Sequence, residues 1–507
     1  MKLLRILAVP VALFCIGAGL WQLESTTAGL SISRTTVGKT PVTVFRPQSA
    51  APAPVVVIAH GFAGSQQLMQ PFAATLAHNG FIAVTFDCLG HGHNPQPMTG
   101  DVTKVEEGSK PALVREFGRV AAFAQSLPGS DGRIAVLGHS MGSDIVIRYA
   151  QAHSEVAATV AVSMFSPVVT PTSPRNLAVI VGDNEPGKLK DEGRRVVSMV
   201  SGGTPDPGVT YGSFAEGTAR RVSFSPGVEH IGVLYSPESM SQARDWLENV
   251  FGRNGNGYRD ERGPALGLLF FGLTLLGWPL SALLPRVTLP PTGAGLPWRR
   301  LLPVAIAPAI LTPLILWKMP TNFLPIRLGD YITIHFAIYG ALTLAGLWIG
   351  SRFGGNHAGA SSSSYGKFVA ATLLVAAYSI FAFGAPLDRY VLSFSPIPER
   401  LPLILAVLAG TLPFFLADEW LTRGPGAARG GYPVTKLLFL ISLAIAVALN
   451  LKKLFFLIII IPIILIFFII YGFFSGWVNR RTGNPLVSGT AIALAFAWAI
   501  AVTFPLL

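Results

Sequence analysis

The chain has 507 residues, of which 51% are apolar and only 13% are charged, and its mean hydropathy is +0.52. Soluble globular proteins carry about 25% charged residues, so the composition excludes a chain that is soluble throughout. The formal net charge is +12. Because Lys and Arg collect at the cytoplasmic ends of membrane spans, this charge needs no nucleic-acid partner, and we predict none.

The N-terminus has the features of a membrane-targeting segment. A basic start with Lys2 and Arg5 is followed by an apolar stretch from Ile6 to Trp21. This pattern is typical of a signal anchor or of a cleavable signal peptide, with a cleavage site before residue 29 in the second case. The apolar stretch is long for a cleaved signal, so we favour an anchor over residues 1–28.

Short apolar strands alternate with helix-like stretches through residues 35–251. The predicted strands cover residues 54–59, 81–86, 133–137, 158–163, 177–181 and 221–224. Helix-like stretches lie between them at residues 67–78, 112–126 and 188–201. This alternation predicts an α/β fold with a mainly parallel sheet covered by helices on both faces. In such sheets ligands bind at the carboxyl ends of the strands.

A glycine-flanked serine lies between one of these strands and a helix-like run, in the motif Gly138-His139-Ser140-Met141-Gly142. A serine hydroxyl becomes a nucleophile when a base takes its proton and when it stands clear of the backbone. A sharp strand–turn–helix connection supplies that exposure, and the glycines let strand and helix approach closely. The motif predicts Ser140 as a nucleophile; the alternative is a glycine-rich turn with an idle serine.

Three further motifs follow predicted strand ends: His60-Gly61-Phe62-Ala63-Gly64, Asp183 and His230. With Ser140 they give the chain order Ser, Asp, His. The region of residues 35–251 therefore resembles the α/β-hydrolase superfamily, and within it the compact serine esterases and dienelactone-hydrolase-like enzymes. The resemblance implies an α/β-hydrolase fold and a hydrolase activity.

The resemblance also implies a role for each of these residues. Ser140 would attack an acyl carbonyl, and His230 would take its proton and return it to the leaving group. Asp183 would hold His230 in the productive tautomer. Glu185 and Asp191 are nearby rivals for the acid, since both follow the same strand.

The remaining site residues would bind the substrate. The backbone N–H groups of Phe62 and Met141 would form the oxyanion hole. His60 and Gly61 would contact the substrate, although His60 is better suited to ordering its own loop than to proton transfer.

Two loops bear on cofactors and on access to the site. His91 and His93 could form a metal pair, but no third ligand follows at a sensible spacing, so we predict neither a metal nor a cofactor. Residues 164–176 are too few for a helical lid, which predicts an open site. Residues 91–111, rich in glycine, proline and polar side chains, would form its rim.

The second half of the chain predicts an all-α transmembrane domain of about eight helices, over residues 264–507. The apolar segments are long enough to cross a bilayer, which takes about 20 residues. They are residues 264–284, 301–317, 330–350, 367–385, 401–417, 435–450, 454–474 and 486–507. Segment 435–450 is the shortest and could pair with its neighbour as a re-entrant loop. Residues 252–263, glycine-rich and polar, are predicted to be a flexible linker.

Lys and Arg residues near the segment ends predict the orientation. With the N-terminus in the cytoplasm, the inside set has twelve members: Lys2, Arg5, Arg286, Arg299, Arg300, Arg352, Lys367, Arg423, Arg429, Lys436, Arg480 and Arg481. The outside set in short loops has six: Lys318, Arg327, Arg389, Arg400, Lys452 and Lys453. This ratio predicts a multi-pass protein of the cytoplasmic membrane with the hydrolase domain on the extracytoplasmic side.

Ionisable residues inside membrane spans are functional suspects. His335 is the one clearly inside a segment, and we interpret it as a helix-packing contact. The acidic residues near the segments, Asp330, Asp388, Asp418 and Glu419, fall at predicted edges and are expected to be interfacial.

Two functions follow from this sequence. The first is a membrane-anchored serine hydrolase that cleaves carboxylic esters, in small molecules or lipids, through an acyl-enzyme on Ser140. The second is a transport or envelope-assembly protein, or an acyltransferase, that uses the α/β-hydrolase domain as a binding or acyl-transfer module. The order Ser, Asp, His favours the first, and the sequence identifies no protein partner.

Overall fold

The computed structural model describes residues 2–49, 51–100, 108–354 and 362–507. Part of the predicted rim loop, residues 101–107, lies outside the described residues. The chain forms two compact units. The sheet unit consists of Ala18–Gly267, Leu387–Phe394 and Pro505–Leu507. The helical unit consists of Met1–Gly17, Leu268–Pro386 and Ser395–Phe504.

The sheet unit contains an eight-stranded sheet. Its strands are β1 Leu30–Val37, β2 Thr40–Pro47, β3 Ala53–Ala59, β4 Ile82–Phe86, β5 Ser130–His139, β6 Val156–Val162, β7 Leu177–Gly182 and β8 Arg220–Ser225. Their order is β1-β2-β4-β3-β5-β6-β7-β8. All pairs from β4 to β8 are parallel, while β1 and β2 join antiparallel at one edge. The predicted mainly parallel sheet is confirmed.

The antiparallel edge pair β1–β2 was not among the predicted strands. The side chains of β1 are mostly exposed, so the strand lacks the apolar run that marks the buried parallel strands. A two-residue turn joins the pair, and Gly38 adopts a φ of 62° there. Glycine accepts positive φ without steric cost, and this turn geometry matches the twist of a hairpin.

Helices cover both faces of the sheet. These helices are α2 Gln70–His78, α3 Lys110–Gln125, α4 Met141–Ala152, α5 Gly187–Ser201 and α6 Pro237–Phe251, while the N-terminal helix α1, Lys2–Ser25, precedes the first strand. On one face Phe72 of α2 and Trp246 of α6 are fully buried against strand residues such as Val160. On the other, Val196 of α5 packs with Val179. Each such side chain contributes about 1.5–3 kcal/mol when fully buried.

The segment predicted to be a flexible linker is fastened to the sheet unit. Gly257 N–H donates to Asn79 Oδ1 at 3.0 Å, and Asp260 N–H donates to Thr75 Oγ1 at 3.0 Å. The guanidinium of Arg262 is buried and pairs with Asp260. The prediction of a flexible connection is therefore wrong, because partners distant in sequence hold the backbone of this glycine-rich segment.

The helical unit is built from long apolar helices. These are α7 Gly263–Ser281, α8 Trp298–Leu316, α9 Gly329–Gly354, α10 Tyr365–Ala377, α11 Phe383–Tyr390, α12 Leu401–Thr422, α13 Gly431–Leu449, α14 Leu451–Leu454, α15 Leu457–Thr482 and α16 Pro485–Thr503. A π-helical turn, Tyr378–Ala382, joins α10 to α11. Two-residue strands, β9 Thr288–Leu289 and β10 Ser362–Ser363, pair antiparallel.

Within the described part of the chain, nine helices are long and apolar enough to cross a membrane, including the N-terminal Leu3–Ser25. The other eight correspond one to one with the eight predicted segments. The shortest predicted segment is a continuous helix, Gly431–Leu449, which is long enough to cross a membrane by itself. The chain therefore has the features of a multi-pass membrane protein.

Three of the acidic residues expected at the membrane edges, Asp330, Asp418 and Glu419, have buried side chains. The side chains of Asp418 and Glu419, on α12, are at most 4% exposed. Lys436 of α13 donates to Asp418, and Arg423 lies 3.3 Å from Glu419. Ser475 of α15 also donates to Glu419, at 2.6 Å. Burial of unpaired charges is costly, so each acid on α12 is matched by a base, and Lys436 is a buried ion-pair partner and not a loop charge.

His335 packs between helices, as expected. Its Nε2 lies 3.1 Å from Ser442 Oγ, and its ring meets Phe439 edge to face. Helices α9 and α12 approach closely at Gly340, where an added Cβ would lie only 2.4 Å from the backbone nitrogen of Phe414. Small residues allow such close packing of apolar helices.

Candidate active site

Ser140 lies at the turn between β5 and α4, in a strained backbone conformation. Its φ is 51° and its ψ is −116°, a region that costs a non-glycine residue about 1–3 kcal/mol. Its N–H donates to Val162 O at 2.9 Å. The flanking glycines are required sterically: a Cβ on Gly142 would lie 2.5 Å from Ala59 O, and one on Gly138 would lie 2.3 Å from Gly142 O. This is the geometry expected for a nucleophile turn.

The Ser140 hydroxyl begins a chain of two hydrogen bonds. Ser140 Oγ lies 3.0 Å from His230 Nε2, and His230 Nδ1 lies 2.7 Å from Glu185 Oε2. A carboxylate accepts, so His230 Nδ1–H is the donor to Glu185, and Nε2 is left to accept from the serine. The structure thus brings together predicted Ser140 and His230 with a carboxylate behind the histidine.

That carboxylate is Glu185 and not the predicted Asp183. The Asp183 side chain is 58% exposed, and its Oδ1 lies 3.8 Å from Lys190 Nζ. Strand β7 ends at Gly182, and the chain turns there, with Glu185 N–H donating to Gly182 O at 3.0 Å. The turn directs residue 183 outward and brings residue 185 back toward His230, and the longer glutamate side chain spans the remaining distance.

Ser163, which the sequence did not indicate, holds the second carboxylate oxygen. Its hydroxyl donates to Glu185 Oε1 at 2.6 Å, and Gly182 N–H donates to the same oxygen at 2.8 Å. Ser163 has a φ of 52° just after β6. Both oxygens of the buried carboxylate are therefore hydrogen-bonded, which fixes its orientation toward His230.

His139 packs against His230 and is hydrogen-bonded to its backbone. Its Nε2 lies 3.0 Å from the carbonyl oxygen of His230, and the two rings pack 4.8 Å apart. Burial and the neighbouring His230 hold the pKa of His139 well below its usual value of 6.5. A neutral His139 donates from Nε2–H and so fixes the backbone that carries His230.

The residues that carry the predicted oxyanion donors are Met141, next to Ser140 in the chain, and Phe62, in the loop after β3. Met141 is the first residue of α4, where N–H groups have no acceptor within the helix. Phe62 follows Gly61, whose backbone packs against the serine turn: a Cβ on Gly61 would lie 3.1 Å from Ser140 Cβ. The next residue, Ala63, has a φ of 54°. The structure thus places the loop that follows β3 beside Ser140.

His60 does not face a substrate, so its predicted binding role is wrong. The side chain is fully buried, with Nδ1 2.7 Å from Gly61 O and Nε2 accepting from Cys88 N–H at 3.0 Å. Burial lowers its pKa below 6.5. Both ring nitrogens are engaged, so His60 ties the loop after β3 to the loop after β4 and leaves Gly61 alone at the site.

The histidines after β4 make packing contacts. The ring of His91 lies 5.1 Å from that of His60 and 5.8 Å from that of Phe62. His93 Nε2 lies 3.6 Å from Asp388 Oδ1. Among the described residues, no group of three or more His, Cys, Asp or Glu side chains is arranged to hold a metal ion. The free thiol of Cys88 is buried, and burial with Glu116 and Asp87 raises its pKa.

Residues 164–176, predicted to be too few for a helical lid, contain no regular helix or strand. Gln151 Nε2 of α4 donates to Val168 O at 2.6 Å and holds this loop against the unit. The sheet order, the strained serine turn and the Ser–His–Glu chain define an α/β-hydrolase domain of the serine hydrolase type, joined in one chain to a region of long apolar helices.

Three comparisons with known proteins show what this chain is similar to. Residues 50–182 match the model of a family described as "Serine aminopeptidase, S33". A predicted CIB-like hydrolase from Thermoplasma acidophilum is 18% identical, with a TM-score of 0.33, over 43% of this chain and 98% of its own. A proline iminopeptidase-related protein from Thermus thermophilus is 14% identical, with a TM-score of 0.31, over 44% and 98%. No curated protein matches this chain.

Proposed function

We propose that this protein is a serine hydrolase that cleaves carboxylic esters through an acyl-enzyme on Ser140. The observation that carries the proposal is the hydrogen-bond chain from Ser140 Oγ through His230 to Glu185, with distances of 3.0 Å and 2.7 Å. This is the arrangement in which a histidine can activate a serine and a carboxylate can orient the histidine.

In the first step Ser140 Oγ attacks the ester carbonyl while its proton passes to His230 Nε2. Glu185 accepts the hydrogen bond from His230 Nδ1–H and stabilises the imidazolium. The proton then passes to the leaving alcohol, whose C–O bond breaks. In the second half, water loses a proton to His230 Nε2 and attacks the acyl carbonyl. The bond between the acyl carbon and Ser140 Oγ then breaks, the proton on His230 returns to Ser140 Oγ, and the acid is released.

The tetrahedral intermediates carry an oxyanion, which we assign to the N–H groups of Phe62 and Met141. Support comes from Met141 at the start of α4 and from the close packing of the preceding Gly61 on Ser140. A helix N-terminus also favours negative charge. Each such donor is typically worth about 3 kcal/mol of the barrier.

The substrate is an acyl ester of a small molecule or a lipid. The proposal is tested with purified full-length protein by p-nitrophenyl butyrate hydrolysis and by fluorophosphonate labelling. Ser140→Ala should lose both activities, while Ser126→Ala, a surface serine that caps α3, should keep both. Turnover by Ser140→Ala at the wild-type rate contradicts the proposal. If the wild type is labelled but releases a single burst of p-nitrophenol without further turnover, water does not complete the reaction, and hydrolysis as the activity is contradicted in favour of acyl transfer.

We further propose that the hydrolase domain lies on the extracytoplasmic side of the cytoplasmic membrane, with α1 as an uncleaved anchor. The excess of Lys and Arg in the predicted inside loops supports this orientation. A cysteine at the exposed residue Asn254 should react with a membrane-impermeant maleimide in intact spheroplasts. A cysteine at Ala427, in a predicted inside loop, should react only after lysis. The opposite pattern reverses the topology.

A further inference from the structure

A short segment from the second half of the chain belongs to the sheet unit. Leu387–Phe394 follows the apolar stretch of α10 and α11 in sequence and precedes α12, yet it forms one compact unit with the hydrolase fold. The segment forms hydrogen bonds with residues 65–70. These residues directly follow residues 60–64, which are called the oxyanion loop below.

Ser65, Gln67 and Ser393 form a closed set of hydrogen bonds. Ser393 N–H donates to Ser65 Oγ at 2.9 Å, and Ser65 Oγ donates to Gln67 Oε1 at 2.7 Å. Ser393 Oγ donates to the same Gln67 oxygen at 3.0 Å. These three residues are at most 8% exposed. Buried polar groups depend on such partners, because water cannot replace them.

The set continues to the start of the segment. The Gln67 amide nitrogen donates to Asp388 O at 2.9 Å, and the Gln70 amide nitrogen donates to Arg389 O at 3.0 Å. Both polar atoms of the Gln67 side chain are therefore hydrogen-bonded to the segment, the oxygen to Ser393 and the nitrogen to Asp388.

The conformation of the oxyanion loop depends on contacts with residues outside the loop. Ala63 adopts a φ of 54°, which is unfavourable for a residue with a Cβ and persists only where surrounding contacts fix it. At its start the loop is tied by His60 to Cys88 N–H. At its end it passes into Ser65, whose hydroxyl is engaged by Ser393 and Gln67.

From these contacts we infer that Leu387–Phe394 is a positioning element for the oxyanion loop, acting through Ser393 and Gln67. The inference rests on the proposed function, because it assigns the consequence of the contact to the oxyanion step. A mispositioned donor weakens transition-state stabilisation while leaving ground-state binding largely intact. The catalytic machinery would then require residues that lie more than 300 positions apart in sequence, such as Ser65 and Ser393.

The test compares full-length variants in p-nitrophenyl butyrate hydrolysis, with active sites counted by end-point fluorophosphonate labelling. Ser393→Ala should lower kcat about five- to tenfold with an unchanged KM, since one buried hydrogen bond is lost. Ser393→Thr keeps the hydroxyl and should recover most of kcat. Arg389→Ala is the matched control, because it lies in the same segment and its half-exposed side chain forms an ion pair with Glu24, away from Ser393 and Gln67.

The pH dependence of kcat/KM separates positioning of the loop from damage to the Ser–His–Glu chain. Ser393→Ala should leave its apparent pKa unchanged, since His230 and Glu185 keep their partners. Gln67→Met removes the hydrogen bond between Ser393 and Gln67 from the other side, together with those to Ser65 and Asp388, and serves if Ser393→Ala does not accumulate. Wild-type kcat in both variants, or an equal loss in Arg389→Ala, overturns the inference. Full activity in Ser140→Ala instead contradicts the proposed function.

Discussion

Glu185 Oε2 lies 2.7 Å from His230 Nδ1, while the Asp183 carboxylate two residues earlier is largely exposed. The turn after β7 thus determines which acidic residue contacts His230. Glu185→Gln should lower kcat by about 10⁴, because an amide nitrogen facing His230 favours the wrong tautomer. The measurement is p-nitrophenyl butyrate turnover per folded protein.

Asp183→Asn is the matched control for that variant. Its side chain should be replaceable with less than about a twofold change, as is usual for exposed positions away from special contacts. A large loss in Asp183→Asn together with a small one in Glu185→Gln would show that the turn after β7 adopts a different conformation in the working enzyme.

Ser163→Ala should reduce activity less than Glu185→Gln does. The hydroxyl of Ser163 supplies one of the two hydrogen bonds to Glu185 Oε1, and Gly182 N–H supplies the other. The carboxylate then keeps its charge but loses part of its fixed orientation, so kcat should fall about tenfold, within the range seen for supporting residues. Ser163→Thr, which retains the hydroxyl, tests whether the loss comes from the hydrogen bond. Equal activity in Ser163→Ala and the wild type would remove this role.

The features that sequence alone predicted are local ones. Gly138 to Gly142 and the apolar strands before them are patterns in which neighbouring residues determine the structure. The choice between Asp183 and Glu185 depends on where β7 ends and on the path of the following turn. That path is fixed by contacts with Ser163 and Gly182, which a one-dimensional pattern does not contain.

Two other features depend in the same way on residues that are distant in sequence. The glycines of residues 252–263 suggested flexibility, but Asn79 and Thr75, far away in sequence, satisfy the backbone of this segment. The end of the apolar run predicted an edge position for Asp418 but did not indicate that its side chain is buried. Its partner Lys436 lies on the next long helix, so the burial of both depends on tertiary packing.

Acid should destabilise the sheet unit through His139. The folded state holds the pKa of His139 well below 6.5 by burial, so below pH 6.5 the unfolded chain binds more protons than the folded one. Stability is then full above pH 6.5 and falls as the pH drops toward the folded-state pKa. The thermal unfolding midpoint in detergent should therefore fall between about pH 7.5 and pH 5.5.

His139→Gln isolates this effect. Glutamine can keep a donor near His230 O but cannot titrate, so the midpoint should depend less on pH in the variant. His60, whose pKa burial also lowers, should account for part of the remaining dependence. An identical pH dependence in the variant and the wild type would exclude His139 as a source of acid sensitivity.

Residues 252–263 should resist limited proteolysis in the folded protein. Arg262 is 1% exposed, pairs with Asp260 and donates to Thr26 Oγ1 at 3.2 Å. Arg262→Met leaves Asp260 as a buried, unpaired charge, which costs about 3–5 kcal/mol, and should make the segment cleavable. Arg259→Ala breaks only a half-exposed pair with Glu261 and should leave the resistance unchanged. Rapid cleavage of the wild type in this segment would contradict the fastened geometry.

The buried pair of Lys436 and Asp418 should be required for folding only as a pair. Both side chains are at most 5% exposed, so Lys436→Met leaves an uncompensated carboxylate among apolar helices, at a cost of about 3–5 kcal/mol. The variant should accumulate poorly and unfold at a lower temperature in detergent. The double variant Asp418→Asn, Lys436→Met removes both charges and should recover much of the lost stability. Lys318→Met is the control for loss of a single positive charge, because Lys318 is exposed and its Nζ lies over the Trp317 ring. Equal stability of Lys436→Met and the wild type would contradict a requirement for the ion pair. A double variant as unstable as the single one would show that the packing of the lysine side chain matters more than the pair.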